Sequence, residues 1–441
     1  MKNSGVEWIG EIPDDWEISK TKYLTKLYTG NSIKDEEKNL YEDKADAVPY
    51  ISSKDINATF STTNYENGMY VKHSDNSFVR APAGSTLMCI EGGSAGKKKT
   101  FLNQEVCFVN KLCCFSPIKI DNKFLFYCLN SPNYEEEFRF NISGMIGGVS
   151  VGKLNQFILP KPPKETQQRI ATYLDKKCSK IEETIQNQQQ VIEKLKAYKQ
   201  SLITEAVTGK IKIQNGKVCG KYESYKDSGV EWIGKIPSKW ISTRVGHLYK
   251  SMLGKMVCPN QLTEEHSLQK YLCAMNVHFD GVDLSEIKEM WFTPNEMNQY
   301  QVRNGDLLVV EGGAGAGGAS IVYGLSENDK IFIQNSIHLV KPVKTNYLPK
   351  YLYYWIYSLV KQNYIDYTCN KATIPHFTKE KLEGMPIAIS DKITQQEIIV
   401  YLDKKCTVID TAIEQKQKLI EKLTEYKKSL IYECVTGKKE I

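Results

Sequence analysis

From Thr166 to Lys210 apolar residues return at heptad spacing, with polar residues filling the positions between them. One seam carries Cys178, Ile185, Ile192 and Ala206, and the other carries Leu174, Ile181, Leu195 and Leu202. The pattern comes back from Thr394 to Lys438, with Cys406, Ile413, Ile420 and Cys434 on one seam and Leu402, Ile409, Leu423 and Leu430 on the other. Such a period predicts long helices that pair through a narrow apolar stripe. No Pro or Gly interrupts either run until Gly209 and Gly437, where helix C-caps belong. At about 1.5 Å per residue each helix spans roughly 60 Å. The two runs are one text written twice: at a constant offset of 228 positions, 27 of 45 residues are identical. Each stripe needs a partner helix, and the nearest candidate is its own copy. Lys199 and Lys427 interrupt equivalent seam positions, as do Gln188 and Lys416. They either fix register or, for a lysine near a helix end, carry the amine out to water.

A second repeat precedes each helix. SGVEWIGEIPDDW at Ser4–Trp16 returns as SGVEWIGKIPSKW at Ser228–Trp240. The chain is therefore a tandem duplication. It divides into a globular domain over 1–160, a long helix over 161–210, a linker over 211–227, a second domain over 228–388 and a second long helix over 389–441. The Trp-Ile-Gly-x-Ile-Pro segment reads as an aromatic staple and turn that docks each domain's first strand. Between the repeats the domains share only a skeleton of short β-type runs and turns, with amphipathic stretches at Phe124–Leu129 and Tyr347–Val360. That mixture predicts an α+β fold with a modest, mostly antiparallel sheet. The polar linker IKIQNGKVCGKYESYKD sets the topology. Parallel helices would require it to span a rod of about 60 Å almost fully extended, at ~3.3–3.6 Å per residue. Antiparallel helices remove that demand, with a pseudo-two-fold axis between the copies. An approximate dyad suits double-stranded DNA, and diverged domains suit an asymmetric, bipartite site.

Composition narrows the class. The 441 residues exceed one ordinary core, and 41% hydrophobic with 25% charged content is that of a globular protein. No apolar run is long enough to span a membrane, and the N-terminus lacks a hydrophobic signal core, so a cytoplasmic location without membrane contact is expected. The twelve Cys form no C-x-x-C pair and the six His show no metal spacing, so neither a metal site nor a disulfide framework is expected. A net charge of +6 is compatible with a polyanion without requiring one. There is no G-x-x-x-x-G-K-[ST] motif, no N-P-P-[FYW] motif and no nuclease-like carboxylate cluster. Glu311–Gly318 (EGGAGAGG) follows an apolar strand but opens no helix, which favours a tight loop over a nucleotide site.

The duplicated EWIG-x-IP opening and the TQQ-x-I…YLDKK…I-x-KL…YK-x-SLI…VTGK helices resemble the DNA-specificity subunit of type I restriction-modification systems. The resemblance implies two target recognition domains joined by two long antiparallel coiled-coil helices. Each domain would read one half of a split DNA site while the helices set the spacing. It also implies docking of two adenine-N6 methyltransferase subunits and two restriction (translocase) subunits. S-adenosylmethionine would belong to the methyltransferase partner, leaving this chain without cofactor or catalysis. Two alternatives stand beside it: a coiled-coil interaction scaffold without DNA readout, and an enzyme built on the Gly-rich loop.

Three loops per domain are candidates for DNA contact. The first holds Ser52, Ser53 and Lys54, answered by Asn276 and His278, whose hydroxyl, amide and imidazole groups suit base edges. The second is Lys97-Lys98-Lys99, a charge run suited to phosphate, with Gly317, Gly318 and Ser320 in its place in domain two. The third holds Ser143, Ser150 and Lys153, answered by Lys371, Thr373, His376 and Lys379.

Overall fold

The computed structural model describes all residues except 145–146, 314, 361, 363 and 370–374. The two periodic runs are helices of 44 residues each, Lys164–Val207 and Lys392–Val435. The chain folds into two compact units that do not follow sequence order. Unit one is Met1–Gln190 with Lys416–Ile441, and unit two is Val191–Gln415. Each unit thus combines one globular domain with part of both long helices.

Within each unit the helices pack antiparallel. In unit one Leu174, Cys178, Ile181 and Ile185 share a core with Leu430, Ile431, Cys434 and Val435, with Ile420 and Leu423 at its edge. In unit two Leu202, Ile203, Ala206 and Val207 share one with Ile398, Ile399, Leu402, Cys406 and Ile409, flanked by Leu195 and Ile413. Ile192 is also buried. The seam lysines do not snorkel. Lys427 Nζ lies 2.5 Å from Glu182 and Lys199 Nζ 2.7 Å from Asp410, each acceptor on the facing helix. Lys416 Nζ donates to Gln188 Oε1 at 3.0 Å. Burial, the largest single influence on Lys199, opposes its charge, but the bond and charge of Asp410 together with Tyr357 and Cys406 reverse that and raise the pKa. These pairs are satisfied in only one register, which is the use best attested for polar seam residues.

The EWIG-x-IP repeats do more than dock a strand. Trp8, Ile9, Ile12 and Trp16 lie in the core that contains Cys434 and Val435, and Ile233, Ile236 and Trp240 lie in the one that contains Ala206 and Val207. Both helices end on a left-handed glycine, Gly209 at φ 72° and Gly437 at φ 73°. At Gly209 the turn closes with Lys210 N–H on Glu205 C=O and Gly209 N–H on Ala206 C=O, a Schellman cap. A Cβ there would lie 2.5 Å from Pro237, and one on Gly437 would lie 2.4 Å from Pro13. The Pro of one repeat and the Gly of the other are two sides of one contact, made once in each unit.

In domain one an antiparallel sheet runs Lys99–Phe101, Thr86–Cys89, Leu112–Pro117, Thr25–Thr29. Its Thr86–Cys89 strand is buried on both faces, with Met88 toward the long helices' core and Leu87 and Cys89 toward a second core. Domain two repeats it as Tyr249–Leu253, Ile337–Pro342, Leu307–Val310, Ala319–Ile321. A further sheet in each domain keeps to the mostly antiparallel expectation but includes one parallel pair: Val106–Phe108 beside Ala47–Ile51, and Ile331–Ile333 beside Ser267–Leu272. The crossover a parallel pair needs is supplied by the intervening hairpin of the first sheet. A two-stranded ladder then ties each domain's start to its end, Glu17–Lys20 with Ile158–Lys161 and Ile241–Arg244 with Pro386–Ile389, just before a long helix begins.

The linker is not a bare tether. Ile213–Gln214 pairs with Lys217–Val218 across Asn215-Gly216, both at positive φ (52° and 68°), the two-residue hairpin turn that Asn-Gly favours. Ile213 is buried, and Gly216 N–H donates to Glu397 on the second long helix.

Candidate nucleic-acid interface

Identical polar clamps hold each domain to its long helix. Gln167, buried, accepts from Asp121 N–H at 2.7 Å and donates to Pro162 C=O at 2.8 Å. Gln395 does the same with Leu348 N–H and the carbonyls of Asn346 and Ser390. Two turns further on, Asp175 accepts from Tyr127 Oη at 2.6 Å and faces Lys123 Nζ at 3.3 Å. Asp403 accepts from Tyr354 Oη at 2.6 Å and faces Lys350 Nζ at 2.8 Å. Burial first, and the carboxylate second, push both tyrosine pKa values far up, so the phenols stay protonated donors. These residues were visible as identical polar positions off the apolar seams, a signal that the periodicity argument passed over.

On this frame the candidate loops of domain one converge. Ser52 opens a short 3-10 turn over Ser53–Asp55, and both its N–H and its hydroxyl go to Asp55 Oδ2, at 2.8 and 2.6 Å. Lys98 Nζ donates to Ser53 C=O at 2.6 Å, tying the lysine run to that turn. An antiparallel bridge between Glu91 and Gly148 brings the loop holding Ser143 and Ser150 alongside. Ser150 caps the Val151–Leu154 turn through Lys153 N–H, while Lys153, Ser143 and Ser150 are exposed. Lys54 and Lys97 are exposed and make no ion pair among the described residues. A groove of about 590 Å³ runs between Lys54, Asn57, Thr62, Asn64 and Lys98.

Lys99 leaves the set. It is 1% exposed and its Nζ sits 2.6 Å from Glu135; burial lowers its pKa and Glu135 pulls the other way. Strand alternation turns it inward, so a run of three lysines offers phosphate at most two.

Domain two repeats the convergence with other side chains. Cys273–Asn276 makes the matching 3-10 turn. Asn276, only 2% exposed, accepts from Cys273 N–H and donates to the carbonyls of Asp283 and Glu286. It therefore builds the turn and has no amide left for a base. His278 is exposed in the hairpin that follows. Ser336 joins this turn to the Gly-rich loop, accepting from Ala274 N–H on its hydroxyl and from Glu311 N–H on its carbonyl. Gly312 bridges to His376, whose Nδ1 is 3.5 Å from Glu311, and His376 and Lys379 are exposed. Ser320 is buried within its strand. Lys371 and Thr373 lie outside the described residues. Beneath the loops His338 is buried, with Nε2 donating to Phe377 C=O at 3.1 Å, and burial lowers its pKa. The Gly-rich stretch is the hairpin loop between Leu307–Val310 and Ala319–Ile321.

Residues 13–194 and 286–425, more than half of the chain, match the family model of the type I restriction modification DNA specificity domain. The chain belongs to the type I restriction-modification specificity subunit family. It is 21% identical over 440 residues to the Escherichia coli type I restriction enzyme EcoBI specificity subunit, covering 97% of this chain and 86% of that one. It is 23% identical over 308 residues to the EcoKI specificity subunit of Escherichia coli strain K12, covering 68% and 62%. A solved chain from a type I restriction-modification system, in a study of its complex assembly and conformational transition, has the same fold. It aligns with a TM-score of 0.70 at 13% identity, over 97% of this chain and all of that one. As a specificity subunit this chain is a DNA-recognition component of a restriction-modification system. No helix among the described residues is long and apolar enough to cross a membrane.

Proposed function

We propose that the two domains read the two halves of a split, asymmetric site in double-stranded DNA. In this reading the long helices set the distance between the halves and dock two adenine-N6 methyltransferase subunits, joined in the full enzyme by two restriction subunits. One observation carries it: each unit builds the same frame with the same clamps, then places different side chains on loops in the same order. Domain one offers Lys54, Lys97 and Lys153, and domain two offers His278, His376 and Lys379. A duplicated frame with unlike tips supports reading two unlike half-sites. Lysines there position the duplex through phosphate, and the short hydroxyl and imidazole groups address base edges. S-adenosylmethionine and the pocket for a flipped adenine fall to the methyltransferase partner, and this chain contributes sequence choice without a catalytic step.

Methylation-sensitive sequencing of host DNA, with footprinting of the reconstituted methyltransferase complex, tests the proposal. A split motif is expected, its half-site centres about 34 Å or more apart. One continuous protected half-site would sink the reading. Binding that ignores salt would favour the scaffold alternative, because phosphate contacts release counterions.

A further inference from the structure

Resting on that reading, we infer that Asp175 and Asp403 are positioning residues. Each latches the angle at which a domain stands on its long helix, and thereby sets the register of the half-site that the domain reads. The latch consists of two donors one helical turn apart, Lys123 and Tyr127 or Lys350 and Tyr354, converging on one carboxylate. The Lys-x-x-x-Tyr pair recurs in stretches 122–131 and 349–358 that otherwise agree only at the buried Leu125/Leu352 and Ser131/Ser358.

The lysine half of the latch adds little stability. The carboxylates are 41% and 38% exposed, and exposed ion pairs contribute little. What the latch supplies is direction. The glutamine clamp at Gln167 or Gln395 is a polar fixed point near the start of the helix, and the apolar core that the domain shares with the helix beyond it is non-directional. The latch lies eight residues further on, about 12 Å along the helix, so a slip of about 1 Å there turns the domain by about 5°. A phenol-to-carboxylate bond is short and directional enough to oppose that turn.

The two units do not depend on the latch equally. In unit two the Ser358 hydroxyl meets the Thr204 hydroxyl at 2.8 Å and the Ser358 carbonyl accepts from Gln200 at 3.0 Å, a second brace between the domain and the helix pair. In unit one the counterpart of Ser358 is Ser131, whose hydroxyl has no hydrogen-bond partner among the described residues, and beside the latch Phe126, Tyr127, Asp175, Glu182 and Lys427 line a cavity of about 580 Å³. Domain one therefore leans on its latch more heavily.

The test uses the full chain in the reconstituted methyltransferase complex, on duplexes that keep both native half-sites and vary the spacer by one base pair. Methylation is the readout. Asp175→Ala and Tyr127→Phe are each expected to raise methylation of the wrong-spacer duplexes, relative to the native one, about tenfold, the scale of one lost bond to a charged group. Asp403→Ala is expected to do less. Asp175→Asn, which keeps an acceptor for Tyr127, should restore most of the discrimination, which a loss of fold would not allow. Tyr127→Phe removes a single oxygen and keeps the reading available if Asp175→Ala unfolds. Unchanged spacer preference in Asp175→Ala and Tyr127→Phe overturns the inference while leaving the proposed function standing. A wild-type complex that methylates no split site overturns both.

Discussion

At the scale of single residues, the structure assigns fold roles to positions that the repeats alone left unexplained. Gly209 and Gly437 must be glycine twice over: their φ is positive and a Cβ would run into Pro237 or Pro13. Gly437→Ala and Gly209→Ala are each expected to lower stability by roughly 1–3 kcal/mol, read as a drop in melting temperature. A Gly→Ala variant that melts like the wild type would contradict the cap. His338 carries a pH dependence. Burial holds its folded pKa below the ordinary 6.5, against the pull of Phe377 C=O and Glu311. The unfolded chain therefore takes up a proton as pH falls through 6.5 while the folded chain does not, and stability declines there. Above that pH the contribution is complete; below the folded pKa it levels off. Melting curves between pH 8 and 5.5 should show the decline, and His338→Gln should flatten it.

At the scale of elements, the helix pair was the most legible part of the sequence, because a heptad stripe is a local and repeated signal. The meaning of its polar interruptions was not legible, since it depends on which acceptor the other helix brings opposite. Lys427→Met should cost about 1–3 kcal/mol by leaving Glu182 half-buried and unpaired. A double-mutant cycle with Glu182→Gln should return a coupling of about 1 kcal/mol; zero coupling would reduce the pair to a surface accident. The linker hairpin was written in the sequence as Ile-x-Ile-x-Asn-Gly-x-Val and read instead as polar spacer. The parallel strand pairs were not readable, because each joins strands more than fifty residues apart. The lysine run at 97–99 shows the same limit: charge is visible in sequence, but inward-facing alternation and a waiting Glu135 are not.

At the scale of the whole molecule, unit one is completed only by Lys416–Ile441. Removing those residues uncovers Leu174, Cys178, Ile181 and Ile185 together with Trp8 and Trp16. The truncated chain is expected to lose protection in 1–190 under limited proteolysis while Val191–Gln415 stays resistant, and equal resistance in both would count against this division. On the proposed function, inserting one heptad into both long helices adds about 10 Å, close to three base pairs. The methylated motif should then show a spacer about three base pairs longer, and an unchanged spacer would end the ruler role.

The duplication, the two helices, their antiparallel sense and the family were all determined by the sequence by itself, since period, repeat and linker length can be read along one dimension. The candidate loops could be located but not sorted: Lys99 and Asn276 fell inside the fold, Lys54, Lys97 and His278 outside. Which copy of a repeated residue meets which partner was decided only by tertiary structure. Pro13 finds Gly437, Tyr127 finds Asp175, and Lys199 finds Asp410. Such contacts depend on where side chains come to rest after distant segments pack, and no local preference of the chain encodes that.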